Sequence, residues 1–494
     1  MKPFRTLLFF LSVFLVLFAL ALYFPGQGIK LPGNVRLDFF TAADIFAPAD
    51  TTSLDIQVFL KDQKLLTDSV ITRLAQGHHP ALPDTIKVSA DSLIKIITAI
   101  EYPENDSSIL FPIFKVLHDL PQKHQLVRIM HYGDSQIEDD RMTSLIRNRL
   151  QSKFGGSGVG LLPASQLYPY GFSMTQQSSD NWARYLVYKP ADSLIDHKRF
   201  GAMAAFCKLE SEPSRRDTAI QKGWVKFGRS PYAYENTRYF RQCRIFYGYN
   251  TEPFINEIHI NNQLTDAEII PVSHCMKVIG WSFDNPVSNL LVQFRCRESP
   301  EIYGLALDDI SGVAVDNIPL RGCAGLIFTS IDQQLLRDMY KELNVKLFIL
   351  QFGGNVVPYI AENYRYYEKW FFNQIVCLRE LCPGVPVLVI GVADMAMKDK
   401  DKFISYPNLD RVKSAVKNAA FRAGAAYWDM QKAMGGENSM PAWVNAEPPL
   451  ASSDYVHFNL RGSKVIAQMF YNAFIYEYHR WENISTGQSN LQAP

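Results

Sequence analysis

The tetrapeptide Gly133-Asp134-Ser135-Gln136 joins two patterned stretches. Before it runs Leu126-Val127-Arg128-Ile129-Met130, which reads as a buried strand. After it, apolar residues at Ile137, Met142, Leu145, Ile146 and Leu150 predict a helix from Ile137 to Leu150. A serine between a strand end and a helix start is well placed as a nucleophile. Its hydroxyl projects from a rigid edge, beside the free N–H groups of the helix start. Asp and Ser also cap helices for structural reasons alone, so the motif needs a base and an oxyanion hole from elsewhere in the chain.

Three later segments offer them. Ser453-Asp454-Tyr455-Val456-His457-Phe458 precedes the last helix. A histidine can take the serine proton near neutral pH, and Asp454, three residues upstream, can fix its tautomer. Leu350-Gln351-Phe352-Gly353-Gly354-Asn355 closes a core strand, and the Asn355 amide can donate to a developing oxyanion. Asp316-Asn317-Ile318-Pro319-Leu320-Arg321-Gly322-Cys323-Ala324-Gly325 follows another strand and offers the Gly322 N–H. Singly, these read as a surface pair, a Gly-Asn turn and a loop glycine.

In this order, the four elements resemble the SGNH (GDSL-type) hydrolases over residues 126–160 and 312–478. The resemblance implies Ser135 as nucleophile, His457 as general base and Asp454 as its orienting carboxylate. It also implies an oxyanion hole from the Ser135 N–H, the Gly322 N–H and the Asn355 side chain. One departure is Val356, where the family usually carries Asp or Glu. The layout is similar to that of bacterial peptidoglycan O-acetylesterases, in which a β domain separates the serine block from the glycine block. His131-Tyr132 and the glycines from Gly155 to Gly160 add to that similarity.

The elements that must position these residues alternate. Beyond the first strand and helix come strands at Val313–Val315, Lys346–Phe352, Val385–Ile390 and Ala425–Trp428. Between and after them come helices at Ile331–Leu343, Asn363–Leu381, Asn408–Ala423 and Leu460–Tyr478. This alternation predicts a three-layer α/β/α sandwich with a parallel sheet. From about 165 to 311 the texture changes. Short β-type runs recur at Trp224–Phe227, Tyr239–Phe246, Ile255–Ile260, Met276–Trp281, Leu290–Phe294 and Ile302–Leu307, which predicts an antiparallel β-sandwich. Its aromatics, Trp182, Tyr185 and Tyr188 among them, suit either a core or a sugar-stacking platform. The glycine run Gly155–Gly160 follows a helix rather than preceding one, so it reads as a helix stop and domain exit and not as a phosphate loop.

The expected organisation is therefore an N-terminal anchor or signal peptide (1–24), a spacer and lead-in (25–120), and a catalytic domain in two parts (121–164 and 312–480). An inserted β-sandwich, either a carbohydrate binder or only a wall of the active site, occupies 165–311, and a tail occupies 481–494. Lys2 and Arg5 precede an uncharged apolar stretch from Thr6 to Phe24. As a helix this spans roughly 28 Å, close to a bilayer core. The positive flank places the remainder outside the cytoplasm, anchored in the inner membrane facing the periplasm, or secreted if the segment is cleaved. The 494 residues carry a net charge of +1 and no basic run, so nothing points to a nucleic-acid partner and none is expected. Seven cysteines include no Cys-x-x-Cys or zinc spacing, and no metal or cofactor is expected. An odd count leaves at least one thiol outside any intramolecular bridge.

The expected activity is hydrolysis of esters, O-acetyl groups on envelope or extracellular carbohydrate, through an acyl-enzyme on Ser135. The expected partners are an acetylated glycan and the membrane. A lipase or thioesterase, an acetyltransferase of the same fold, and a non-catalytic glycan-binding protein are the alternatives.

Overall fold

The computed structural model describes residues 29–31, 35–37, 98–166, 171–188, 195–210 and 220–486. The chain divides into two units, Met1–Ser53 and Leu54–Pro494. In the first, Ile29–Leu31 and Val35–Leu37 form an antiparallel hairpin. The apolar segment 1–24 lies outside the described residues; among the described residues no helix is long and apolar enough to cross a membrane.

The second unit is α/β. Its central sheet contains β1 (Ile100–Glu101), β2 (Leu126–Gly133), β3 (Gly312–Pro319), β4 (Val345–Gln351), β5 (Val387–Ile390) and β6 (Ala426–Trp428), in the order β3-β2-β4-β5-β6-β1. The strands β2 to β6 pair in parallel. The edge strand β1 pairs antiparallel with β6, so the sheet is mixed where the alternation predicts a parallel one. The Trp428 indole fixes this edge by donating to the Thr98 carbonyl at 3.0 Å.

The helices are α1 (Phe111–Lys123), α2 (Thr143–Phe154), α3 (Gln333–Glu342), α4 (Arg365–Leu381), α5 (Leu409–Arg422), α6 (Met430–Met434), α7 (Ser439–Val444) and α8 (Leu460–Ser485). Successive strand residues point to opposite faces, and each face has its own core. Val127, Ile129, Val315 and Ile349 share one cluster with apolar residues of α1, α2 and α8. Met130, Tyr132, Phe348 and Leu350 share another with α3, α4 and α5.

Two helices depart from the sequence reading. The stretch after Ser135 is first a 3-10 turn, Ser135–Asp140, because Glu138 is extended and Asp139 takes a φ of 57°. The α-helix begins only at Thr143. The last helix passes the expected boundary at 480 and reaches Ser485. Buried Trp481 packs against the Phe114 ring at 6.3 Å, which gives the extra turn an apolar face to cover.

Between α2 and β3 the chain forms two antiparallel sheets. One orders Ser273–Val287, Phe240–Asn250, Glu301–Asp308, Ala205–Leu209 and Trp182–Leu186, with Gly158–Leu162 also paired to Glu301–Asp308. The other orders Gln263–Ile270, Phe254–Ile260, Leu290–Cys296, Gln221–Arg229 and Met174–Ser178. Val225, Phe240, Ile245, Val292, Phe294 and Leu305 bury themselves in a cluster common to both. The glycine run is therefore not only a helix stop, since its last members enter a strand. All seven cysteines are free thiols.

One ion cluster joins the antiparallel region to the central sheet. Arg128 on β2 bonds Asp316 on β3 and Asp308 on the strand Glu301–Asp308. All three side chains are fully buried. Asp316 also accepts from the Leu161 N–H at 2.8 Å, and Arg244 approaches Asp308 at 3.5 Å. Gly160, at a φ of +84°, leaves no room for a Cβ against the Asp316 carboxylate. Burial pushes the Asp316 carboxyl up, and Arg128 pulls it back toward the charged form.

Arg128→Met strands two carboxylates in the interior and is expected to destabilise the fold by about 3–5 kcal/mol, read as a lower urea midpoint. Adding Asp308→Asn and Asp316→Asn is expected to recover part of the loss. If the triple variant is no more stable than the single one, uncompensated charge is not the cause.

Candidate active site

The β2 strand ends in a turn with no slack. Asp134 caps it by accepting from the Gln136 N–H at 3.0 Å, and its own N–H donates to the Gln351 carbonyl at 3.2 Å. A Cβ on Gly133 would meet Ile137 Cδ1 at 2.9 Å. Ser135 thus emerges at the edge of the sheet with its backbone held from both sides.

The histidine segment returns to this edge from the far end of the chain. Ser135 Oγ lies 2.7 Å from His457 Nε2, and His457 Nδ1 lies 2.8 Å from Asp454 Oδ2. The other Asp454 oxygen accepts from the Val456 and His457 N–H groups at 2.9 and 3.0 Å. Burial pushes the Asp454 carboxyl up, but these donors outweigh it and hold the group below the usual carboxylate range. With Asp454 charged and bound to Nδ1–H, Nε2 is free to accept the serine proton. The Asp454 side chain is 49% exposed and that of His457 31%, so the relay runs from a half-buried serine outward to solvent.

Two supports for this loop carry no sequence signal of their own. Gln136 donates to the Val456 carbonyl at 2.5 Å and accepts from the Phe458 N–H at 3.4 Å, gripping the residues on either side of His457. The hairpin Ala396–Asp399 and Lys402–Ser405 stacks Phe403 on Tyr455 at 3.6 Å between ring centres, and Ala396 N–H donates to the Tyr455 carbonyl.

The two expected oxyanion donors lie on loops tied to the same turn. The Leu320 N–H donates to the Gly133 carbonyl at 2.8 Å and so holds the loop that carries Gly322. Gly322 has a φ of +77° and open space beside its Cα. Asn355 follows Gly353, which adopts a φ of +117° with Val392 packed where a Cβ would stand. The Asn355 amide donates to the Cys323 carbonyl at 3.1 Å, which joins the two loops and leaves its second N–H unspent. Val356, the departure noted in the sequence, is buried.

Behind the serine turn, His131 is fully buried, with its ring nitrogens 3.1 Å from the Gln351 side-chain amide and 2.9 Å from Thr143 Oγ1, which also lies 2.7 Å from Asn317. Burial pushes the imidazole down to about 4, so it is neutral at pH 7. Asp134 moves the other way: burial raises it to about 6, against its backbone donors and His457. Among the described residues no group of His, Cys, Asp and Glu is arranged to hold a metal ion.

No protein-family model matches this sequence, and no curated protein does. Solved structures do. A peptidoglycan O-acetylesterase superposes with a TM-score of 0.59 at 18% identity, covering 74% of this chain and 95% of that one. A family two carbohydrate esterase from Cellvibrio japonicus gives a TM-score of 0.22 at 8% identity over 61% of this chain and 99% of its own. A GDSL-like lipase from Parabacteroides merdae gives 0.24 at 15% identity over 33% of this chain and 74% of its own.

Two tests follow from this geometry. Gln136→Ala frees the loop around His457 and is expected to slow fluorophosphonate attack on Ser135 by about 10–100-fold; an unchanged rate would show that Gln136 holds nothing. The pH test concerns His131. Its folded pKa, about 4, lies below the ordinary value of 6.5, so its contribution is present above 6.5 and lost as pH falls through 4, to a limit of about 3 kcal/mol. Asp134, raised to about 6, acts oppositely: its contribution is present below its ordinary value and lost as pH rises through 6. The difference in melting temperature between wild type and His131→Asn isolates the histidine. Wild type is expected to lose stability relative to the variant between pH 6.5 and 4. A difference that stays constant over this range refutes the assignment.

Proposed function

We propose, starting from the SGNH/GDSL-hydrolase-like fold that this chain has, that it is a serine esterase acting on O-acetyl groups of an envelope or extracellular glycan. One observation carries the reading: Ser135, His457 and Asp454 form a continuous hydrogen-bonded relay of 2.7 and 2.8 Å. The substrate class follows the peptidoglycan O-acetylesterase, whose fold this chain shares over 95% of that protein's length. In this reading the two stretches 121–164 and 312–480 make one three-layer catalytic domain. Residues 165–311 are its β insert, and the apolar segment 1–24 anchors it in the inner membrane, facing the periplasm, or directs secretion.

The reaction uses side chains and backbone only. His457 Nε2 takes the Ser135 proton as Oγ attacks the acetyl carbonyl carbon. The negative charge that develops on the carbonyl oxygen is met by the Ser135 N–H, the Gly322 N–H and the free N–H of the Asn355 amide. Asp454 keeps Nδ1 protonated and steadies the imidazolium. The imidazolium then gives its proton to the departing sugar oxygen, leaving acetyl on Ser135. A water, deprotonated by His457, attacks that acetyl carbon; acetate leaves and Oγ recovers its proton.

Ser135→Ala is expected to cut turnover of p-nitrophenyl acetate by about 10³-fold or more with the circular dichroism spectrum unchanged. Asn355→Ala is expected to cost about 3–4 kcal/mol in the transition state, seen in kcat. Full turnover by Ser135→Ala would sink the esterase reading. Acetate release from O-acetylated peptidoglycan, compared with other acetylated polysaccharides, tests the substrate.

A further inference from the structure

A cavity of about 170 Å³ lies beside the serine turn without including Ser135. Its walls include Glu138 of that turn, Pro319 at the end of β3, and Gln176, Arg184 and Tyr188 of the antiparallel region. Pro319 pairs with Gly133 in register, so the cavity adjoins the strand end that carries the nucleophile. The space is smaller than a whole-ligand pocket, about 300–1,000 Å³, and suits a single unit of a longer chain.

The charges lining it are not all matched. Arg147 is bound to Asp140 at 2.5 Å, and Arg321 faces Glu138 at 3.6 Å. Arg184 has no such partner: among the described residues its side chain makes no ion pair or hydrogen bond, and its Nε is sealed from solvent. Gln176 is 5% exposed; its Nε2 donates to the Pro163 carbonyl at 2.6 Å, while its Oε1 is buried without a partner. Native interiors rarely leave such groups unmatched, because each costs about 1–3 kcal/mol. Two of them in one cavity, a cation and an acceptor, describe the complement of a ligand. Tyr188 is the one aromatic among the described lining residues, and burial raises its hydroxyl while Arg184 lowers it.

We propose that this cavity is a subsite for a carboxylate-bearing sugar of the substrate, resting on the reading of the substrate as a glycan. Arg184 takes the carboxylate, Gln176 Oε1 accepts a hydroxyl or amide N–H, and the Tyr188 ring packs against the sugar. The subsite sets which residue of the glycan flanks the ester at Ser135.

The test is calorimetric titration of the Ser135→Ala protein with N-acetylmuramic acid and with N-acetylglucosamine, which differ by the lactyl ether and its carboxylate. The acidic sugar is expected to bind at least about tenfold more tightly, the scale of one charge-assisted contact. Arg184→Gln in the same background is expected to abolish the preference, and Arg184→Lys to retain part of it. Equal affinity for the two sugars, failure of both to bind, or a preference that survives Arg184→Gln overturns the proposal. Should the glutamine variant misfold, Arg184→Lys and the parent preference still decide. If wild type releases no acetate but the acidic preference and its Arg184 dependence hold, the esterase reading falls and the subsite stands.

Discussion

Arg128 and its two aspartates set the geometry on which the rest depends. A guanidinium in the middle of a buried strand cannot be solvated, and taking each ion from water costs several kcal/mol. The attraction to Asp316 and Asp308, supported by Arg244 and the Leu161 N–H, offsets that cost only in one arrangement of five strands. That arrangement aligns β2 with β3, and so brings Gly133 and Pro319 level at their ends. The Ser135 turn and the Gly322 loop both start there. A cluster remote from Ser135 thus decides where the serine and one of its expected oxyanion donors stand.

Much of this was legible in the sequence, for a physical reason. The strands of the central sheet are buried on both faces, so they appear as short apolar runs such as Leu347-Phe348-Ile349-Leu350. The site residues were legible because they sit beside those runs, at strand ends or before α8. The break after Ser135 was not. Ile137 and Met142 keep helical spacing on either side of it, and periodicity does not report a left-handed φ at Asp139. The strand β1 is two residues long and leaves no pattern to detect. Arg128 was visible as a charge within an apolar run, which is itself a demand for a partner, but its partners lie 180 and 188 positions away.

The site itself is graded from rigid to open. His131, Asp134 and Gln136 are buried beneath it and fully engaged with Gln351, Thr143 and the His457 loop. Above them the His457 and Asp454 side chains reach solvent, and the loops of Gly322 and Asn355 meet through a single hydrogen bond to Cys323. Preorganisation of this kind costs little at the moment of reaction, because the donors need not turn to meet a developing charge.

The 322 positions between Ser135 and His457 have a consequence in time. During synthesis the serine leaves the ribosome long before its hydrogen-bond partner exists, and β2 must wait for β3 until both antiparallel sheets have been made. At about 5–20 residues per second, the interval is tens of seconds. A nascent chain passes through that interval with Ser135 lacking its histidine, so a chain stalled anywhere between the two residues carries the serine without the hydrogen bond seen in the folded protein.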